Sequence, residues 1–168
     1  MHGNFARMIA RVSRKSQAYL ARALLKYDLT VAEQPFFMAL QRCEGVTQEE
    51  LTAMVCVDKA VTTRVVKSLE DKGYLTRVKD TQDRRQNRIY PTTLTRELGA
   101  AVQKDLLMFN DAVTQGISGE ELEVVQKALI KMEANLVELL SGKGGQDKEQ
   151  ATKPVSYTHL RAHETGRN

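Results

Sequence analysis

The 168-residue chain is poor in the residues that build metal centres and disulfide frameworks. It has two cysteines, Cys43 and Cys56, three histidines and no tryptophan. Ligands this few, at these spacings, argue against a structural zinc site and against a disulfide scaffold. We interpret both cysteines as buried small apolar groups rather than redox sensors, and we expect neither a metal nor another cofactor.

Long apolar runs and catalytic residue sets are missing as well. No run of about 18 apolar residues is present, so we expect no contact with a membrane. The N-terminal segment interrupts its apolar residues with Arg7, Arg11 and Arg14, unlike a secretory signal, which favours a cytoplasmic protein. Outside the C-terminal tail the only histidine is His2, and no glycine-rich phosphate loop occurs, so we do not expect an enzyme.

Positive charge is concentrated in the middle of the chain. The net charge is +4, but residues 58–96 carry 10 basic and 5 acidic groups, whereas residues 97–140 carry 3 and 8. Such a basic segment attracts a polyanion, although on charge alone a solvated surface with scattered lysines explains it equally well.

Capping signals predict two short helices in succession. The first lies just before the basic segment, and the second lies within it. Thr47 and Glu50 form a capping box that starts one helix. Asp58 is suited to cap the next, which ends at Lys72 because Gly73 is the usual residue after a helix. An earlier helix is predicted to begin near the Thr30–Glu33 capping box, although Pro35 delays its start. It should run to about Cys43, and Gly45 should end it.

A charged β-hairpin is predicted directly after the second short helix. Its strands are residues 74–79 and 87–92, rich in β-branched and aromatic residues, with the polar loop 80–86 between them. Pro91 lacks an N–H group, so the second strand must be at an edge there or stop.

Longer amphipathic helices are predicted at both ends of the chain. One covers residues 4–27, and another begins after Thr92 and is closed by Gly116. A third starts at the Ser118–Glu121 capping box and carries an apolar stripe at heptad spacing: Leu122, Val125, Leu129, Met132, Leu136 and Leu139. This stripe needs a partner helix, either within the chain or from another subunit.

The helix that begins after Asp58 is predicted to be apolar on one side and small or cationic on the other. Val61, Val65, Val66 and Leu69, with Thr62, share the inner side at 100° per residue. The outer side carries Lys59, Ala60, Thr63, Arg64 and Lys67. Small side chains allow close approach, and threonine and arginine read base edges, so this surface suits the major groove of DNA. The alternative is an ordinary amphipathic surface helix.

The hairpin adds cations beside that helix. Arg84 and Arg85 are at its predicted tip and Arg88 follows, which suits contact with a neighbouring groove. We hypothesise that Asp83 orients Arg85; the alternative is a turn-favouring aspartate that bonds its own backbone. Two short helices followed by such a hairpin have the order of a winged helix-turn-helix.

The sequence resembles the MarR family of bacterial transcriptional regulators over residues 4–140. The resemblance rests on Thr-Gln-Glu-Glu-Leu-Thr at 47–52, on the run from Val61 to Arg77 that contains Thr-Arg and Leu-Glu-Asp-Lys-Gly, and on Asp-Arg-Arg at 83–85. It implies base and backbone contacts by Thr63 and Arg64 and a wing motif at Asp83 and Arg85. It also implies a homodimer, formed by N- and C-terminal helices, that binds a pseudopalindromic operator.

We therefore expect a mainly α fold with a small β-hairpin wing. Residues 1–29 would be an N-terminal dimerisation helix, 30–96 the winged helix-turn-helix, 97–140 C-terminal dimerisation helices, and 141–168 a flexible tail whose end is not native. The expected function is sequence-specific binding of double-stranded DNA by a homodimeric repressor. Resemblance to the family implies release by a small aromatic effector. The alternatives are a winged-helix adaptor for protein contacts and a non-specific chromosome-coating protein.

Overall fold

The computed structural model describes residues 4–81 and 86–141, which form helices and one small sheet. The elements in chain order are α1 (Phe5–Leu24) with a 3-10 turn (Leu25–Tyr27), α2 (Gln34–Leu40), β1 (Val46–Thr47), α3 (Gln48–Val55), α4 (Lys59–Asp71), β2 (Leu75–Lys79), β3 (Asn87–Pro91), α5 (Thr93–Thr114) and α6 (Gly119–Leu140). The predicted fold class, mainly α with a small β wing, is confirmed.

The chain divides after Gln115 into two units. The first contains α1 to α5 and the sheet, and α6 is the helix described in the second. In the first unit one apolar core joins α2, α3, α4, the sheet and α5; its fully buried side chains include Phe36, Phe37, Leu40, Leu51, Val66, Leu69, Leu75, Ile89 and Val102. No helix in the described part of the chain is both long and apolar enough to cross a membrane.

The sheet is antiparallel, with strand order β1-β3-β2. β2 and β3 form the predicted hairpin, in register from Leu75 opposite Pro91 to Lys79 opposite Asn87. β1 pairs with β3 only at Ile89 and Arg88. On that side Pro91 therefore has no neighbour, and the strand stops there, as its missing N–H requires.

The end of α2 differs from the prediction. α2 ends at Leu40 rather than about Cys43, and Gly45 does not cap it. Gly45 instead has φ +66° and donates its N–H to the carbonyl of Ile89 at 3.0 Å. The chain leaves the helix early because it must turn to bring β1 alongside β3. α2 starts at Gln34, one residue before Pro35, as expected.

α6 begins with the predicted capping box. The amide of Glu121 donates to Ser118 Oγ at 3.2 Å, and the amide of Ser118 donates to Glu121 Oε2 at 2.8 Å. Four residues of the heptad stripe are exposed within the single chain: Val125, Leu129, Leu136 and Leu139. These four side chains therefore lack cover from the described residues of the chain.

Candidate nucleic-acid interface

α3 and α4 form a helix-turn-helix whose bends are fixed by local hydrogen bonds. Thr47 and Glu50 make the predicted capping box, with the amide of Thr47 donating to Glu50 Oε2 at 2.7 Å. This backbone hydrogen bond lowers the pKa of Glu50. Cys56 turns the chain with φ +56°, and Asp58 Oδ1 accepts from the amide of Val61 at 2.8 Å to start α4.

α4 presents the surface that the sequence predicts. Thr62, Val65, Val66 and Leu69 are buried, and Val61 is partly buried. On the opposite side five side chains are exposed: Lys59, Ala60, Thr63, Arg64 and Lys67. The structure thus brings these five predicted site residues together on one accessible face.

The cations on this face differ in how they are held. Lys67 pairs with Asp71 at 3.2 Å, one turn later and in solvent. Within residues 4–81 and 86–141, neither Lys59 nor Arg64 forms an ion pair. Their charges are therefore available to an external anion.

Gln48 is a member of this surface that sequence reasoning missed. Its Nε2 donates to the hydroxyl of Thr63 at 2.8 Å and so ties the start of α3 to the exposed face of α4. A second contact between the helices joins the hydroxyls of Thr52 and Thr62 at 3.0 Å. The capping box places Gln48 first in α3, but nothing in the sequence indicates its partner, 15 residues away.

A cleft of about 470 Å³ opens beside these contacts, between the starts of α3 and α4 and the sheet. Eight of its nine lining residues have polar side chains, two of them cationic and one a carboxylate: Thr47, Gln48, Glu49, Thr52, Lys59, Arg77, Gln86, Asn87 and Ile89. Amide, hydroxyl and cationic groups of this kind are the ones that contact nucleic-acid backbones.

Arg77 holds the wing against α4. Its Nε donates to Glu70 Oε2 at 3.0 Å, from β2 to the last turn of the helix. The hydrogen bond lowers the pKa of Glu70 and raises that of Arg77. The pair fixes the angle between helix and hairpin, and it explains the glutamate of the Leu-Glu-Asp-Lys-Gly run.

Lys72, in the same run, also anchors the C-terminal end of α4. Its Nζ lies 2.9 Å from Glu33 Oε2 and 2.7 Å from the carbonyl oxygen of Asp28. Glu33 is buried and also accepts from Ser68 Oγ at 2.6 Å. Burial raises the pKa of Glu33, but hydrogen bonds from Ser68, Thr30 and Lys72 outweigh that effect and leave the pKa below its ordinary value.

Arg88 has partners inside the protein. Its Nε lies 2.5 Å from Asp80 Oδ2, and its Nη1 donates to the carbonyl of Gly45 at 2.8 Å. The hydrogen bond to Asp80 raises the pKa of Arg88. Arg88 thus braces the base of the hairpin, and a contact from it to phosphate stays a prediction.

Asp83, Arg84 and Arg85 lie outside the described residues. The orientation of Arg85 by Asp83, and the entry of the wing tip into a groove, therefore remain predictions from the sequence.

The two cysteines differ from the expectation that both are buried. Cys43 is partly buried, and burial raises the pKa of its thiol. Cys56 is exposed, because its positive φ places it in the turn between α3 and α4. The prediction is therefore wrong for Cys56. Among the described residues, no cluster of three or more histidine, cysteine or acidic side chains is placed to hold a metal.

An exposed second helix, braced at one end by Lys72 and against a hairpin by Arg77, defines the winged helix-turn-helix class of DNA-binding domains. Comparison with known proteins agrees. The model described as the MarR family matches residues 37–86. An HTH-type transcriptional regulator of Bacillus subtilis, YybA, is 23% identical over 109 residues, which are 65% of this chain and 73% of that protein.

Solved structures show the same fold. The MarR protein from Peptoclostridium difficile has a TM-score of 0.74 at 25% identity and covers 81% of this chain and 89% of its own. A MarR-type regulator from Listeria monocytogenes, complexed with 26mer DNA, has a TM-score of 0.73 at 19% identity, covering 84% and 95%.

Residues 37–86 thus match the MarR family model, and the fold of the chain is similar to that of solved MarR-type proteins.

Proposed function

We propose that the protein is a homodimeric repressor that binds a pseudopalindromic operator in a sequence-specific way. The observation that carries the proposal is the exposed face of α4, where Lys59 and Arg64 have no ion-pair partner among residues 4–81 and 86–141. Ala60 and Thr63 keep the same face small enough for the backbone to approach base edges. The wing residues Arg84, Arg85 and Arg88 would contact the neighbouring groove or phosphates, and Asp83 would orient Arg85.

Exposed apolar side chains support the dimer. α1 exposes Phe5, Met8 and Val12, each about half accessible. α6 exposes Leu136 to a similar extent and Leu139 to a greater one. Exposed apolar surface in regular stripes marks protein interfaces, so we place residues 1–29 and 97–140 in the dimerisation region and 30–96 in the DNA-binding region.

Two-fold symmetry determines the expected target. A dimer would present its two copies of α4 about 34 Å apart, one turn of the duplex, to two inverted half-sites. The Listeria monocytogenes protein of the same fold was crystallised with 26mer DNA, which supports duplex DNA as the partner. A regulator of this kind acts in the cytoplasm, where a bacterial chromosome lies.

We further propose release by a small aromatic effector near the seam of α1 and α5. Tyr19 and Phe109 stack there at 5.2 Å, and Tyr27 donates to Asp105 at 2.8 Å. Stacked aromatic rings of this kind suit an aromatic ligand. Benzoate at millimolar concentration should weaken the protein–DNA complex, whereas cyclohexanecarboxylate at the same concentration serves as the non-aromatic control.

The decisive experiment is selection of bound duplexes from a random-sequence library by the full chain, followed by footprinting. We expect an inverted repeat with half-site centres about 10 base pairs apart. Uniform protection of every sequence would indicate a coating protein. Binding to no duplex at low salt would indicate a protein adaptor, and either result would overturn the proposal.

A further inference from the structure

The hydroxyl group of Thr63 is engaged on the protein side. Its Oγ1 donates to the carbonyl oxygen of Lys59 at 2.8 Å, one turn earlier in α4. The same oxygen accepts from Gln48 Nε2 at 2.8 Å. Thr63 is nevertheless exposed on the face proposed to meet DNA.

A hydroxyl has one hydrogen to donate, and here that hydrogen stays inside the protein. If the amide of Gln48 were rotated, Thr63 would donate to Gln48 Oε1 instead, and the hydrogen would still be retained. Phosphate oxygens and the acceptor atoms of guanine therefore find no donor at Thr63.

The methyl group is the remaining substituent on the Thr63 β-carbon. Oγ1 is hydrogen-bonded to α3 and to the preceding turn of α4. The methyl group is therefore the part of the side chain that no hydrogen bond to the protein engages. In the major groove, an apolar methyl has one distinctive counterpart, the 5-methyl group of thymine.

Gln48 is what keeps the side chain in this orientation. Threonine in a helix populates two rotamers, because its hydroxyl bonds carbonyls of the previous turn from either. The bond from Gln48 favours the one observed. The main chain of Gln48 is held at the start of α3, since its backbone carbonyl oxygen accepts from Thr52 Oγ1 at 2.7 Å.

We propose that Thr63 recognises a thymine in each half-site through its methyl group, with Gln48 as the positioning residue. This inference rests on the proposed binding of α4 in the major groove. It assigns Thr63 a specific chemistry there, apolar contact rather than hydrogen bonding.

The test uses the duplex that the wild-type protein selects, with each thymine replaced in turn by deoxyuridine, which lacks only the 5-methyl group. Wild-type protein should lose about four-fold in affinity at one thymine per half-site, the value of one buried methyl group at about 0.8 kcal/mol. Thr63→Val keeps the methyl and should keep this discrimination. Thr63→Ser keeps the hydroxyl and should lose it.

Gln48→Ala should reduce the discrimination without abolishing binding, because the rotamer is no longer held. Thr93, exposed at the start of α5, provides matched controls: Thr93→Ser and Thr93→Val should leave the deoxyuridine profile unchanged. Thermal unfolding followed by circular dichroism verifies that all variants are folded.

Three outcomes would overturn the inference: a selected half-site without thymine, wild-type indifference to every deoxyuridine, or discrimination kept by Thr63→Ser and lost by Thr63→Val. In each of them the wild-type protein still selects a sequence. Failure of the proposed function looks different, because then no sequence is selected at all.

Discussion

Individual cations of the basic segment fall into two groups. Lys72, Arg77 and Arg88 bond to other parts of the protein and position α4 and the hairpin. Lys59 and Arg64 lie free of ion pairs within the described ranges, on the exposed face of α4. The total of basic residues therefore overstates how many contact DNA.

Alanine variants of Arg64 and Lys67 should distinguish base recognition from phosphate contact. Arg64→Ala should weaken binding to the selected operator by about 1 to 3 kcal/mol per half-site and relax base preference at one position. Lys67→Ala should weaken binding to all duplexes alike and reduce the salt-dependence slope by about two, because a dimer carries two copies. Mobility-shift titrations on operator and random duplexes measure both effects. Equal losses on both duplexes for Arg64→Ala would remove its role in specificity.

Gly73 should be intolerant of alanine for a conformational reason alone. Its φ is +78°, and an added Cβ would meet no atom within 4 Å. Gly73→Ala should therefore cost about 1 to 2 kcal/mol in the free energy of unfolding through backbone strain.

Gly119 is the matched control for Gly73, since a Cβ there also meets open space but φ is not positive. Gly119→Ala should be neutral or stabilise by up to about 1 kcal/mol. Urea unfolding followed by circular dichroism compares the two variants. Equal effects on stability would show that backbone conformation is not what requires glycine at residue 73.

Hydrogen bonds between elements determine where α4 sits. Glu33, just before α2, accepts from Ser68 and Lys72 near the C-terminal end of α4. The hydroxyl of Tyr74 donates to the carbonyl of Tyr27, at the end of the 3-10 turn after α1. The C-terminal end of α4 is thus hydrogen-bonded to the segment between α1 and α2.

Glu33 gives this arrangement a dependence on pH. Its pKa is below 4.5 in the folded protein, so its contribution to stability is present above that pH and is lost as the pH falls through the folded pKa. Glu33→Gln should cost about 1 to 3 kcal/mol at pH 7, because a buried charged hydrogen-bond network is broken. At about pH 3 the difference from wild type should shrink.

The control for Glu33 is Glu123→Gln, in an exposed pair with Lys127 at 3.2 Å on α6. That change should cost no more than about 0.5 kcal/mol at either pH. Urea unfolding at both pH values distinguishes the two. A Glu33 effect that does not vary with pH would contradict the argument.

Local signals predicted the helices better than the contacts between them. The capping boxes at Thr47 and Ser118 and the caps at Asp58 and Gly73 depend on residues three or four apart, so the sequence displays them directly. β1 was missed because two residues show no alternation, and only the distant Ile89 makes them a strand. The bond from Gln48 to Thr63 and the exposure of Cys56 were missed for the same reason, since tertiary placement decides them.

The molecule as a whole should depend on association for its activity. In the described part of the chain α6 exposes four residues of its heptad stripe, and Leu136 is 57% accessible. Leu136→Asp should shift the proposed dimer, of twice 18.9 kDa, toward monomer and reduce operator affinity on the order of 100-fold, because the second half-site is no longer bound in the same step.

Ala134→Asp introduces the same charge into α6 away from the stripe and should leave the dimer intact. Sedimentation equilibrium gives the mass of each variant, and mobility shifts give its affinity for the operator. Dimeric Leu136→Asp protein with normal affinity would exclude the stripe as the interface.

The small sheet has outer strands that discourage further pairing. β1 has two residues, too few to template a neighbouring chain, and β2 exposes Arg77 and Lys79 along the other border. Short and charged borders of this kind prevent one sheet from extending into the next molecule. The protein is therefore protected against fibril-like polymerisation at the hairpin it needs to keep accessible.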